Sequence, residues 1–300
     1  MSTAYDDGLP VILMRASLAE QVELEAARMY FHVLENRSDV LRLHHRPDGQ
    51  VVIPRYSALP YYQELEYDMT SCGLSLINTY AQHRYVADLQ NWYYDFEDLT
   101  PKTWFRASDV PSTEEGPFIL KGATNSRKHR WKEAMFAPTR ADIGRVLSTL
   151  MDDPLISEQG VYVRKFEEFE TYGEGLNGLP ITDEWRYFIL DGQIVGRGFY
   201  WSEHKDPYVQ ALATRIRDED PMLVNDWLAE GNRDQFILRT IIPRLEGKIR
   251  FVVADVARSK GTNMWRLVEL NDGQQSGLGC LDPDSLYGNM ARVLKGKTLE

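Results

Sequence analysis

The stretch FVVADVARSKGTNMWRLVELND, residues 251–272, decides how the rest of the chain reads. Residues 250–257 are largely apolar and β-branched, with Asp255 closing the run FVVAD, and this reads as a buried strand. Trp265–Leu270 reads as a second strand, and residues 258–264, with Gly261, as the loop between them. Side chains alternate along a strand, so Glu269 and Asn271 share one face. If the two strands close a hairpin, Asp255, Glu269 and Asn271 converge at adjacent strand ends. Three hard oxygen donors so placed suit Mg2+, which is commonly held by one or two carboxylates plus substrate phosphates. The spacing alone leaves a plainer alternative open, that these are polar caps at strand ends.

Upstream, Glu184–Leu190 and Gln193–Trp201 flank Asp191-Gly192, a strong hairpin signal. A two-residue loop pairs Leu190 with Gln193 and, by the same count, Arg186 with Arg197. Like charges directly opposite destabilise a pair of strands, and a bridging anion such as a phosphate would relieve them. Solvation of both arginines, or neutralisation of Arg186 by Glu184 on the same face, is the alternative.

Further upstream, PFILK (117–121) reads as a strand that delivers Lys121 from an apolar run, followed by the turn-rich GATNSRKHR with Gly122 and Lys128. A lysine there is costly without an anionic partner, and a loop of small residues leaves backbone N–H groups free for phosphate. The Walker pattern is absent. Taken alone, this is also what an ordinary surface turn looks like. Ala141–Met151 reads as a helix, Gly160–Phe166 (GVYVRKF) as a strand, and YGEGLNGLP (172–180), with three glycines, as an open mobile loop. Asp220–Glu246 is expected to be mostly helical.

The first hundred residues alternate strands (10–14, 51–53, 74–77) with helices (18–34, 61–72 closed by Gly73, 83–94), which predicts a small α/β layer on a parallel sheet. The whole reads as α+β following an α/β start. Lys plus Arg total 34 against 45 Asp plus Glu, a formal charge of −11. That balance lacks the footprint of a phosphate-backbone binder, so nucleic acid is an unlikely partner. No run approaches a membrane span, the N-terminus carries acids where a signal peptide is basic, and two cysteines (Cys72, Cys280) make neither a disulfide framework nor a zinc site. A cytoplasmic protein is the expectation. His44-His45-Arg46 reads as an exposed turn rather than a metal pair. Arg55-Tyr56-Ser57 suits either a substrate-facing sheet end or a cap, Tyr61-Tyr62 and Trp92-Tyr93-Tyr94 suit core packing, and Gln274-Gln275-Ser276 are placed to touch an acceptor.

In this order the segments resemble the ATP-grasp superfamily over about residues 100–280: PFILKG, the loop GATNSRKHRW, VYVRKFEEF, DEWRYFILDGQIVGRG, and the closing Asp255…Glu269-Leu270-Asn271 set. The sequence looks closest to small, largely uncharacterised bacterial and phage members. The resemblance implies an N-terminal α/β (pre-ATP-grasp) domain over 1–105 and two α+β subdomains, 106–170 and 171–300, that sandwich ATP. It implies that Lys121 and Lys128 contact ATP phosphates, and that the backbone of Arg164-Lys165-Phe166 meets adenine. Glu167 or Glu168 would take the ribose. Arg186, beside Glu184, would stand at the transferred phosphate with Arg197 and Lys128 as further catalytic cations. Asp255, Glu269 and Asn271 would hold Mg2+. Two features depart from the family pattern: the loop is not glycine-rich, and His83-Arg84 stand where many members have a linker lysine.

The activity so implied is ATP-dependent ligation of a carboxylate to an amine or thiol, of a small molecule or peptide, through an acylphosphate, with ADP and phosphate as products. A lid over 122–130 or 172–180 would exclude water. A kinase-like phosphotransferase and a nucleotide-binding regulator with little turnover are the alternatives. A homodimer is the default expectation among soluble oligomers.

Overall fold

The computed structural model describes residues 9–41, 50–57, 61–124, 126–158, 160–203, 207–218, 227–279 and 281–299. The readings of His44-His45-Arg46, Asn125 and Cys280 lie outside the described residues. Strands β1 (Val11–Leu13), β2 (His32–Leu34), β3 (Gln50–Ile53) and β4 (Leu74–Leu76) form a parallel sheet in the order β2-β1-β3-β4. This is the expected α/β layer. The helix expected over 18–34 stops at Tyr30, because Phe31 is already extended and His32–Leu34 hydrogen-bonds to β1. The helix Tyr62–Ser71 is followed by Gly73 at φ +72°, the left-handed residue that closes a helix without a Cβ clash. The helix expected over 83–94 is three pieces, Tyr80–Ala87, Leu89–Trp92 and a 3-10 turn over Tyr93–Asp95. Asp88 breaks it: its backbone is extended, and its carboxylate accepts from the Gln90 N–H at 2.9 Å. Trp92 and Tyr93 are buried and Tyr94 is exposed, as core packing requires.

Strands β5 (Thr103–Trp104), β6 (Phe118–Gly122), β7 (Phe136–Ala137) and β8 (Val161–Lys165) form an antiparallel sheet in the order β5-β8-β6-β7. The helix Ile143–Met151 lays Ile143, Val146 and Leu150 on one face of it, against Phe118, Leu120 and Val163. Lys121, Ile119 and Arg164 lie on the opposite face by strand alternation and pairing.

The open loop expected over 172–180 is a hairpin, β9 (Thr171–Glu174) with β10 (Pro180–Thr182). Asn177 and Gly178 turn it with positive φ, and Leu179 and Ile181 are buried in the largest core cluster. That burial offsets the entropy of ordering a glycine-containing segment.

The last sheet joins β11 (Glu184–Leu190), β12 (Gln193–Phe199), β13 (Phe251–Arg258) and β14 (Trp265–Asp272) in the order β12-β11-β13-β14, all antiparallel. The β11–β12 pairing corrects the register read from the two-residue turn. A bulge lies between Phe188 and Ile189, so Arg186 pairs with Gly198 and Arg197 pairs with Tyr187. The extra residue is Val195, which is fully buried, and the next residue, Gly196, comes so close to Leu281 that a Cβ there would collide with its methyl. The register yields to that packing. One face of this sheet buries Phe188, Leu190, Phe251 and Val253 against Ile12, Met14 and the helices Gln21–Tyr30 and Pro283–Leu294. The other buries Trp185, Tyr187, Val252 and Ala254 against Ile237, Ile241 and Leu245 and against Val86 and Trp92. The described part of 220–246 is helical, with a π-helical turn over Ile237–Ile241 between the helix Trp227–Phe236 and the turn Ile242–Leu245. No helix among the described residues is long and apolar enough to cross a membrane.

Candidate active site

The pairings of β11, β13 and β14 put Arg186 opposite Asp255 and Asp255 opposite Glu269, so three functional side chains form one row across three strands. Glu184 precedes Arg186 on the same face, and Asn271 follows Glu269, opposite Val253. The Arg186 guanidinium makes a bidentate pair with Asp255, Nε to Oδ1 and Nη2 to Oδ2 at 2.9 Å each, and its Nη1 donates to the Gly277 carbonyl at 3.0 Å. The Asn271 amide donates to Asp255 Oδ2 at 3.2 Å. Asp255 is fully buried.

The central sheet supplies the facing cation. Lys121 projects from β6, is buried, and its ammonium donates to Glu269 Oε1. Burial alone would raise the Glu269 carboxyl, but Lys121, Lys128 and Arg164 outweigh it and hold the group below its ordinary value. Lys128 comes from a 3-10 turn over Lys128–Arg130 and donates to the Tyr200 hydroxyl at 2.7 Å. Its loop is anchored from behind by the paired guanidinium of Arg127 and carboxylate of Asp153. Burial would lower the Lys128 ammonium, yet the Tyr200 hydroxyl, Glu184 and Glu269 leave it above the ordinary lysine value.

Glu184 is the one carboxylate of this group with an unmet oxygen. Its Oε2 accepts from the Thr182 hydroxyl at 2.9 Å, while Oε1 is buried without a protein partner. Burial, with Asp255 adding to it, lifts its carboxyl above the ordinary value against the pull of Lys128. A buried oxygen left unbonded marks a place for a ligand or water.

Between the two sheets lies a cavity of about 340 Å3 lined by Lys121, Lys128, Arg164, Glu184 and Glu269 at one end. At the other end it meets Trp131, Met135 and the segment Lys165–Phe169, with the β9–β10 hairpin alongside. Trp131 stacks on Phe136 (centroids 5.7 Å apart, planes at 19°), and Phe136 meets Phe166 edge-on at 5.4 Å. One end is thus cationic and the other aromatic, the two needs of a nucleoside polyphosphate. The buried Arg164 has its guanidinium pushed down by burial and fixed on the Thr100 hydroxyl (2.7 Å), the Thr103 hydroxyl (3.2 Å) and the Val268 carbonyl (2.9 Å).

Of the residues singled out from sequence, Lys121, Lys128, Glu184, Arg186, Asp255, Glu269 and Asn271 come together. Lys165, Phe166, Glu167 and Glu168 line the far end, but the Lys165 ammonium is turned to the Glu115 carbonyl. Glu167 pairs with Arg266 at 3.0 Å, and Glu168 lies 3.5 Å from Lys260. Arg197 is not brought in. The bulge puts it on the opposite face of the sheet, where it pairs with Asp234 beside the Tyr187 hydroxyl. Gln274 does not face an acceptor either: it is fully buried and its amide donates to the Tyr62 hydroxyl (2.7 Å) and to Asp272 (3.0 Å). His83, in the linker helix, stands behind the site, with Nδ1 2.8 Å from Asp272 Oδ2 and its ring stacked on Tyr62. Arg55 neither faces substrate nor caps a strand. It is buried, pairs with Glu23 at 2.9 Å and donates to the carbonyls of Gly273 (2.9 Å) and Ser276 (2.6 Å). The sequence reading missed Tyr200, Trp131, Phe136 and Thr182; for Tyr200 the available signal was its place directly after the strand paired with the arginine strand.

The family model for the ATP-grasp domain, clade family 3, matches residues 108–290, more than half of the chain. The chain belongs to this ATP-grasp family. No curated protein matches it. Among solved structures, a RimK domain ATP-grasp protein from Sphaerobacter thermophilus is 17% identical, with 96% of this chain and 100% of that chain covered, at a TM-score of 0.51. The D-alanine–D-alanine ligase of Bacillus anthracis, complexed with ATP, is 11% identical over 96% of this chain and 94% of its own, at 0.54. The ATP-grasp ligase PsnB, complexed with a variant of its minimal precursor, Mg and ADP, is 12% identical over 99% of both chains, at 0.52. At these identities the likeness is one of fold: this protein is an ATP-grasp protein of mixed α and β content.

An ATP-grasp site implies a divalent cation, and the donor set fits one. Asp255, Glu269 and Asn271 present only oxygen ligands, and two carboxylates with an amide match the usual protein share of Mg2+ coordination, the remainder falling to phosphates and water. Among the described residues no cluster of three His, Cys, Asp or Glu could hold a metal unaided, in keeping with that division.

Proposed function

We propose that this ATP-grasp protein is an ATP- and Mg2+-dependent ligase that joins a carboxylate to an amine or thiol through an acylphosphate, releasing ADP and phosphate. The observation that carries the reading is the row Arg186–Asp255–Glu269 on one sheet with Lys121 facing it from the other. Trp131 and Phe166 would flank the nucleobase, and the chain around Lys165–Phe166 would meet its edge. Lys121 and Lys128 would bind phosphate oxygens, and Arg186 would meet the charge that grows on the transferring phosphoryl group. Asp255, Glu269 and Asn271 would hold Mg2+, which offsets phosphate charge when bound. The attacking oxygen belongs to the substrate carboxylate, so no protein nucleophile is required. The β9–β10 hairpin, over the cavity, would keep water from the acylphosphate. The acceptor is an amine or thiol of a small molecule or a peptide; PsnB, complexed with a precursor peptide, is a precedent of the second kind.

The test is thermal melting with and without Mg-ATP, on wild type and Asp255→Asn, followed by a screen of carboxylates with amines or thiols that tracks ADP and product mass. Binding to the native state must raise the midpoint. A rise in wild type that collapses in Asp255→Asn supports the reading. No rise in either overturns it, and a phosphorylated but unjoined product would make the enzyme a kinase.

A further inference from the structure

Tyr200 stands where two cations meet. It follows β12 in the short 3-10 turn Tyr200–Glu203, on the side of the C-terminal sheet. Its hydroxyl accepts the Lys128 hydrogen bond at 2.7 Å, and that ammonium also lies 3.9 Å from the Tyr200 ring centre and 4.8 Å from that of Trp201. The Arg186 guanidinium lies 4.8 Å from the same Tyr200 centroid. Lys128 belongs to the loop that follows the central sheet and Arg186 to the opposite sheet, so the tyrosine is the part that joins them. Two like charges converging on a dry cavity repel unless something between them is electron-rich, which the face of a phenol ring provides. Tyr200 does not line the cavity, whereas Lys128 does.

We propose that Tyr200 is a positioning residue that fixes the Lys128 ammonium at the phosphate end of the cleft and holds it apart from Arg186. The inference rests on the nucleotide reading above, and adds to it a residue that acts on the phosphates through another side chain. Its signature is selectivity for phosphate number. Removing the hydroxyl should weaken a nucleotide whose phosphates reach Lys128 and leave one that lacks them untouched.

The experiment measures the affinities of ATP, ADP and AMP, each with Mg2+, for the full chain by calorimetry, in wild type, Tyr200→Phe, Lys128→Met and the double variant. A hydrogen bond to a charged group predicts that Tyr200→Phe weakens ATP by about tenfold, with AMP changed less than about twofold. In the Lys128→Met background the same change should cost ATP nothing further. Equal weakening of all three nucleotides, or an undiminished effect without Lys128, would show a merely structural tyrosine and overturn the inference. An unchanged ATP affinity in Tyr200→Phe would overturn it too. Wild type that binds none of the three overturns the nucleotide reading itself, and the role of Tyr200 with it.

Discussion

Lys121 of the central sheet and Glu269 of the C-terminal sheet form one ion pair across the cleft. The cation meant for phosphate and the carboxylate meant for metal therefore neutralise each other in the ligand-free protein. Mg2+ and phosphate together would exchange these partners, whereas either alone would strand a charge. Lys121→Met should abolish the ATP-dependent rise in melting temperature and lower ligand-free stability by about 3 kcal/mol, the usual cost of orphaning one member of a buried pair. Adding Glu269→Gln should restore most of that stability in urea unfolding without restoring ATP binding.

Arg197 gives the opposite expectation. It lies on the far face of the sheet, partly exposed and paired with Asp234. Arg197→Ala should leave Mg-ATP affinity unchanged and cost no more than about 1 kcal/mol, as an exposed ion pair does. A loss of nucleotide binding in this variant, read by calorimetry, would contradict the bulged register.

Glu184 makes stability depend on pH in a defined sense. Its carboxyl is raised in the folded state, chiefly by burial, so the folded protein holds that proton to higher pH than the unfolded chain. The protonated form is favourable below the unfolded value, and that contribution disappears as pH rises through the folded one. Glu184→Gln should therefore be nearly neutral in unfolding experiments at about pH 4, near the ordinary carboxyl value, and gain on wild type as the pH climbs above it. A gap that narrows with rising pH would refute the assignment.

Arg55 is expected to be among the most costly single replacements. Arg55→Met strands the buried Glu23 carboxylate and two carbonyls, for a loss of about 3–5 kcal/mol in urea unfolding. Arg55→Lys should recover only part of it, because an ammonium lacks the guanidinium fork.

The C-terminal site was legible because its chemistry obeys the simplest periodicity. Asp255, Glu269 and Asn271 sit at strand positions where alternation alone fixes the face, and the pairing of Asp255 with Glu269 follows from closing the hairpin. Lys121 was legible for the same reason, a charge at the end of an apolar run. Arg186 was placed correctly, though the argument that brought it together with Arg197 failed. A one-residue bulge reverses every later side chain, and the bulge is set by Leu281, far from Val195 in sequence and invisible to a local count. The β9–β10 hairpin was hidden by its glycines, which read as freedom until the burial of Leu179 and Ile181 is seen. Tyr200 and Arg55 act through partners distant in sequence, Lys128 and the carbonyls of Gly273 and Ser276, and no spacing rule connects them.

The grip of Arg55 on the loop after β14 also bears on how this chain could be divided. The family-matched span 108–290 carries the lysines, the arginine and the metal donors, yet it excludes Arg55 and Glu23. Cut free, that span would present two carbonyls without their guanidinium and an apolar sheet face of Phe188, Leu190, Phe251 and Val253 without its cover. The first sheet is thus scaffolding for the site as much as a neighbour to it, and a transplant of the catalytic span onto another N-terminal layer would have to bring a buried arginine along.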